Sequence, residues 1–132
     1  MTYVLSVPVL ALVIAAYLML GAGGGLMLDS DAYSATLASG AELTLRTGDF
    51  FTLAGLLALF VEMLKAARAG SGTIVDHMLS TAVFVGALLC FLLVDTCGTS
   101  SFLLLTVMTL IDVVAGFSIS IFSTRRDFSI DR

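Results

Sequence analysis

Charge is what this chain most lacks. Only 12% of its 132 residues are Asp, Glu, Lys or Arg, against about 25% in a soluble domain, which excludes a soluble enzyme and a disordered chain. Positive charge is scarcer still. Six Lys plus Arg face ten Asp plus Glu, for a net charge of −4, so there is no basic face for phosphates and nucleic-acid binding is excluded. The one histidine, His77, cannot build a bis-histidine haem site or a multi-histidine metal centre. Two cysteines, Cys90 and Cys97, do not make a disulfide-knit secreted module. If helical they lie about 10 Å apart, beyond the span of a disulfide.

Apolar residues fill the space that charge leaves. They make up 59% of the chain, with mean hydropathy +1.11, and they fall into four runs of low charge. A bilayer core of about 30 Å needs roughly 20 mostly apolar helical residues, and backbone satisfaction in lipid makes these runs helices and not barrel strands. Helices are expected over about 3–28, 49–68, 76–95 and 100–124, with an external loop at 29–48 and a tail at 125–132. The second is the weakest, because Glu62 and Lys65 interrupt it. The first lacks a basic leading region and far exceeds the 7–15 apolar residues of a signal peptide, so it reads as a retained helix. The expected fold is all-α: one membrane domain of four transmembrane helices in an antiparallel bundle.

Orientation follows from the cations. Lys65, Arg68, Arg125, Arg126 and Arg132 fall on one side of such a bundle and Arg46 alone on the other, which predicts both termini in the cytoplasm. The outer face is then acidic, carrying Asp29, Asp31, Glu42, Asp49 and Asp95. A solvated rim is the simpler reading of these carboxylates, since hard-cation binding needs convergent oxygens. Within the outer loop, Tyr33, Ala35 and Leu37 alternate with polar or small residues, and Leu43 and Leu45 do so after Ser39-Gly40. That period of two predicts strands near 33–38 and 42–47, with an irregular or helical loop as the equal alternative.

Three stretches carry a resemblance. Asp76-His77-Met78-Leu79-Ser80-Thr81, Ile111-Asp112-Val113-Val114-Ala115-Gly116-Phe117 and Arg125-Arg126-Asp127-Phe128 make the chain similar to an uncharacterised group of small four-helix proteins of bacterial inner membranes. The resemblance implies a multi-pass location in that membrane and carries no activity with it.

Asp112 is the sharpest candidate for function. A carboxyl near the middle of a spanning helix costs about 2.5–3.5 kcal/mol on insertion scales and needs a partner or a role. It lies on a stripe of small and polar residues, Thr106, Thr109, Asp112, Gly116, Ser120 and Ser123, which suits close helix packing. Counting depth at 1.5 Å per residue places Tyr17 of the first helix at a similar level, so Tyr17 and Asp112 are expected to meet, with Cys90 nearby. Glu62 and Lys65, three apart, read as an ion pair at the membrane edge, too far from Asp112 for a direct dyad. Asp76 suits a helix N-terminus, and His77 beside it is a candidate interfacial titrating group. Gly21 and Gly25 form a small-residue pair that permits helix crossing or marks an early helix end. As a dinucleotide fingerprint the same glycines fail, for no strand precedes them.

No nucleophile paired with a base, no metal set and no cofactor motif is present, so no enzymatic activity, metal or cofactor is expected. The favoured expectation is a non-enzymatic inner-membrane protein acting through helix packing, as an accessory subunit or a homo-oligomer, with the bilayer and a protein as its partners. The alternative is a small proton- or cation-linked transporter or channel with Asp112 as its titrating carboxyl.

Overall fold

The computed structural model describes residues 7–69 and 74–130. Helix α1 spans Val9–Tyr17 and continues as a wider π segment over Leu18–Ala22. A hairpin of β1 (Asp31–Thr36) and β2 (Glu42–Arg46) follows, then α2 (Thr47–Ala69), α3 (Ile74–Leu93), a 3-10 turn (Asp95–Cys97) and α4 (Ser100–Ile130). Three helices are long and apolar enough to cross a membrane, over Thr47–Arg68, Ile74–Leu93 and Ser100–Phe122.

The first expected span is shorter than the sequence suggested. Its apolar helix covers Val9–Gly21, roughly 20 Å by helix rise against a bilayer core of about 30 Å. Residues 3–6 of that expected span lie outside the described ones. At the other end the glycines stop the helix. The amide of Gly23 reaches back to the carbonyl of Leu18 and that of Leu26 to Leu20, while Gly24 takes φ +82°, a conformation that side chains disfavour. The last helix errs the other way. It continues through the expected tail to Ile130, since no glycine or proline follows Gly116 to break it.

The hairpin pairs β1 and β2 antiparallel, with Tyr33 opposite Leu45 and Ala35 opposite Leu43, and an irregularity between Asp31 and Tyr33. Gly40 at φ +86° turns the chain. The base of the hairpin is tied to the start of α2: Thr47 N–H donates to Ser30 O at 3.0 Å and Gly48 N–H to Leu28 O at 3.0 Å. Arg46 bridges Asp29 and Asp31 and donates its amide to Asp49 Oδ2 at 2.8 Å.

Side-by-side order in the bundle is α1, α2, α4, α3, because α4 packs on both α2 and α3 while α1 packs on α2. The core lies where α1, α2 and α4 meet: Leu10, Ile14 and Tyr17 against Ala58, Leu59, Phe102, Leu105 and Met108, with Ala87 of α3 at its edge. Leu105 and Met108 of α4 fill the space beside Gly55 of α2, where a methyl would press on the ends of their side chains. By contrast nothing lies within 4 Å of a methyl placed on Gly86 of α3.

These two glycines give a paired test. Gly55→Leu overpacks the α2–α4 contact and is expected to lower stability by about 1–3 kcal/mol or more, whereas Gly86→Leu leaves the single chain as stable as the wild type. Unfolding in mixed detergent micelles measures both, and equal effects would refute the packing order.

Candidate functional site

From Thr106 to Ser120 the polar stripe of α4 faces its neighbours, and its upper part satisfies itself. Buried Thr106 and Thr109 donate to carbonyls of their own helix, at Phe102 O (2.9 Å) and Thr106 O (2.6 Å). One turn further, Asp112 shares a side-chain hydrogen bond with Ser80 of α3 and has Glu62, Lys65 and His77 as its electrostatic neighbours. Toward the end of the bundle where α3 begins, His77 Nε2 pairs with Ser120 Oγ at 2.6 Å. The imidazole stacks on Phe117, with centroids 5.1 Å apart and planes 13° apart. It also covers Gly116, where a methyl carbon would fall 3.0 Å from Nδ1. Gly116 is therefore the gap in α4 into which His77 fits. Thr81 Oγ1 donates to His77 O at 2.7 Å and fixes the turn beneath the ring.

Glu62 belongs to a second device. Its carboxylate, largely buried, pairs with Lys65 Nζ at 3.4 Å and accepts a hydrogen bond from the backbone N–H of Val9. Lys65 Nζ in turn donates to Val7 O at 3.4 Å. The leading amides of a helix have no partner within it and attract negative charge, and Pro8 before Val9 supplies no side-chain cap. Glu62 of α2 thus caps α1 across the bundle. The sequence shows the Glu62–Lys65 spacing but contains no sign of that cross-helix bond.

Tyr17 does not meet Asp112. Its hydroxyl shares a 2.5 Å hydrogen bond with Thr99 Oγ1, and its ring packs on Phe51 (5.3 Å, edge-on) and Phe102 (5.1 Å, tilted). Thr99 Oγ1 also accepts from Phe102 N–H at 3.2 Å, capping the start of α4. Asp112 is 13 residues further along that helix, roughly 20 Å by helix rise. Cys90 belongs with this far end too, as an electrostatic neighbour of Cys97. The expected cluster is thus two clusters, one at each end. Helix ends do not share one level: Val9, the first residue of α1, is bonded to Glu62 well inside α2, so Tyr17 reaches the far end of the bundle.

Of the two readings of Gly21 and Gly25, the early helix end holds and the helix crossing does not. A methyl on Gly21 would press on Leu28 of the returning loop, and Gly25 lies beyond the helix with only Leu20 O near. Neither packs against a second helix. At the hairpin end Asp29, Asp31 and Asp49 all engage Arg46. Among the described residues no group of three His, Cys, Asp or Glu side chains converges as a metal site.

Ser80 and Ser120 complete the candidate site. Ser120 lay on the stripe at helical spacing, whereas Ser80 carries no signal beyond standing one turn after the lone histidine. Together they join α3 to α4 through two polar rungs, Asp112–Ser80 and His77–Ser120. Such a seam holds helices in register and offers carboxyl, imidazole and hydroxyl groups that exchange protons. Compared with models of known families, with curated proteins and with solved structures, the chain matches none.

Two measurements probe the far end. Cys97 has no exposed surface, and burial pushes its thiol above the ordinary range. Because the thiolate is the species that reacts, a maleimide should leave Cys97 unmodified in the folded protein at neutral pH, gain reactivity only as the medium turns alkaline, and label it fully after denaturation. Prompt labelling at neutral pH would contradict this burial. Tyr17→Phe should cost about 0.5–1.5 kcal/mol and be non-additive with Thr99→Val in a double-mutant cycle.

Proposed function

We propose that this chain is a non-enzymatic polytopic membrane protein that works through helix packing, as an accessory subunit of a membrane complex or as a homo-oligomer. The observation that carries the reading is the open face of α3. Only 6% of its apolar window is buried, against 28% for α4, and α3 packs principally against α4. Along it runs a groove of about 690 Å³ whose floor includes Ala82 and Gly86. Small residues four apart on a lipid-facing helix let another helix approach closely, with contact distances that a leucine-lined face does not permit. The opposite end of the bundle is filled by Tyr17, Cys97, Phe102 and Leu105, all without exposed surface, which weighs against the transport alternative.

Location belongs to the same proposal. Five of the six cations flank the ends where α2 finishes, α3 starts and α4 finishes, which supports both termini in the cytoplasm of a bacterial inner membrane. Membership of the small four-helix inner-membrane group that the Asp76–Thr81 and Ile111–Phe117 stretches resemble is part of this reading.

Native mass spectrometry from a gentle detergent tests it. The wild type is expected to carry a second copy or a stoichiometric partner subunit, and Gly86→Leu to release the single chain while leaving its unfolding unchanged. A wild type that is a lone monomer in native membranes and in detergent alike would end the reading.

A further inference from the structure

We propose that β1 pairs edge to edge with β1 of a second copy of this chain, forming a four-stranded antiparallel sheet at the hairpin end. The proposal does not use the α3 face, because the hairpin adjoins α2 whereas α3 packs on α4.

The hairpin by itself is an unfinished sheet. Tyr33 and Ala35 lie opposite Leu45 and Leu43 on one of its faces, and Tyr33 and Leu43 are 57% and 41% exposed. Two strands with an uncovered apolar face are marginal in water, and further strands complete such a face.

Its two edges differ, and the difference selects β1. The edge of β2 carries Glu42 and Arg46, and the N–H of Arg46 is already taken by Asp49 Oδ2 at 2.8 Å. Charge and an occupied donor guard an edge against pairing. From Ala32 to Ala41 there is neither a charged residue nor a proline, so β1 has no such guard. Leu37 N–H donates to Ala41 O at 2.8 Å, and the alternation of an antiparallel ladder then makes Ala35–Leu43 and Tyr33–Leu45 the hydrogen-bonded pairs. The amides and carbonyls of Ser34 and Thr36 therefore point outward along the free edge.

This edge matches itself about a twofold axis at Ser34. Ser34 then faces Ser34 of the other copy, and Thr36 faces Ala32, which the irregularity in β1 leaves without an opposite residue in β2. On the apolar face each Tyr33 ring lies over Ala35 of the other copy, large against small, twice by symmetry. The two Asp31 carboxylates are kept about 20 Å apart along the strands. Both outer edges of the resulting sheet are β2, with its guards, so addition stops at two chains.

Disulfide trapping in native membranes tests the pairing. One strand pair is too small an interface to hold two chains through extraction, so Gly86→Leu still releases the single chain in detergent. Ser34→Cys should give a covalent dimer under a mild oxidant, because opposite residues of a hydrogen-bonded antiparallel pair are about 5.5 Å apart at Cα, within reach of a disulfide. Thr36→Cys, about 14 Å from its counterpart, and Thr44→Cys, on the guarded edge, should stay at the wild-type background. Adding Thr36→Pro to Ser34→Cys removes an outward donor without touching the β1–β2 ladder and should cut the dimer about fivefold. Ser34→Cys should keep its dimer in the Gly86→Leu background, so failure of the α3 reading and failure of this one are separate results. No dimer from Ser34→Cys in a chain whose Cys97 is still protected overturns the proposal. So does equal trapping at Thr36 or Thr44, or a cross-link from Ser34→Cys to a different protein, which identifies another chain on this edge.

Discussion

A helix packed on two sides must find room on both, and the architecture depends on how α4 finds it. Toward α2 the room comes from the neighbour, since Gly55 lets Leu105 and Met108 approach the α2 backbone. Toward α3 it comes from α4 itself, since Gly116 leaves the hollow that His77 occupies. Without aqueous hydrophobic drive inside lipid, association of helices relies on such close packing and on hydrogen bonds across the contact. Each side of α4 uses a different balance of the two. The α2 side is dominated by dispersion contacts, and the α3 side adds the paired polar rungs.

Polarity is also sorted along the bundle. At the hairpin end, aromatic rings from α1, α2 and α4 enclose one hydroxyl pair, Tyr17–Thr99. At the end where α3 begins, carboxyl, imidazole, ammonium and hydroxyl groups from three helices converge. The first arrangement is shut and mostly apolar, and the second gathers the polar and charged groups.

How much of this was legible depended on whether the controlling signal was local. Helices α2 and α3 begin two residues before Asp49 and Asp76, and α4 begins at the end of the Asp95–Ser100 turn, so the edges of the low-charge runs mark their starts to within a turn. The hairpin was written in the alternation around Gly40, and the small, polar face of α4 in its spacing of three and four. What escaped was tertiary. The end of α1 depends on how Gly23 to Leu26 fold back on Leu18 and Leu20, and apolar composition alone extends that helix too far. Tyr17 meets Thr99 and not Asp112 because α1 and α4 start at different levels, an offset that no local spacing records. Glu62 shows only Lys65 as a neighbour in sequence, while its bond to Val9 crosses 53 positions.

That bond sets a temporal condition on biogenesis. The chain is made from its N-terminus, so α1 is complete before the residue that receives its leading amide has been synthesised. Until α2 has been synthesised as far as Glu62, the first helix is the least finished part of the molecule. Order of emergence and order of completion run in opposite directions here, and the chain closes its beginning only after its middle has arrived.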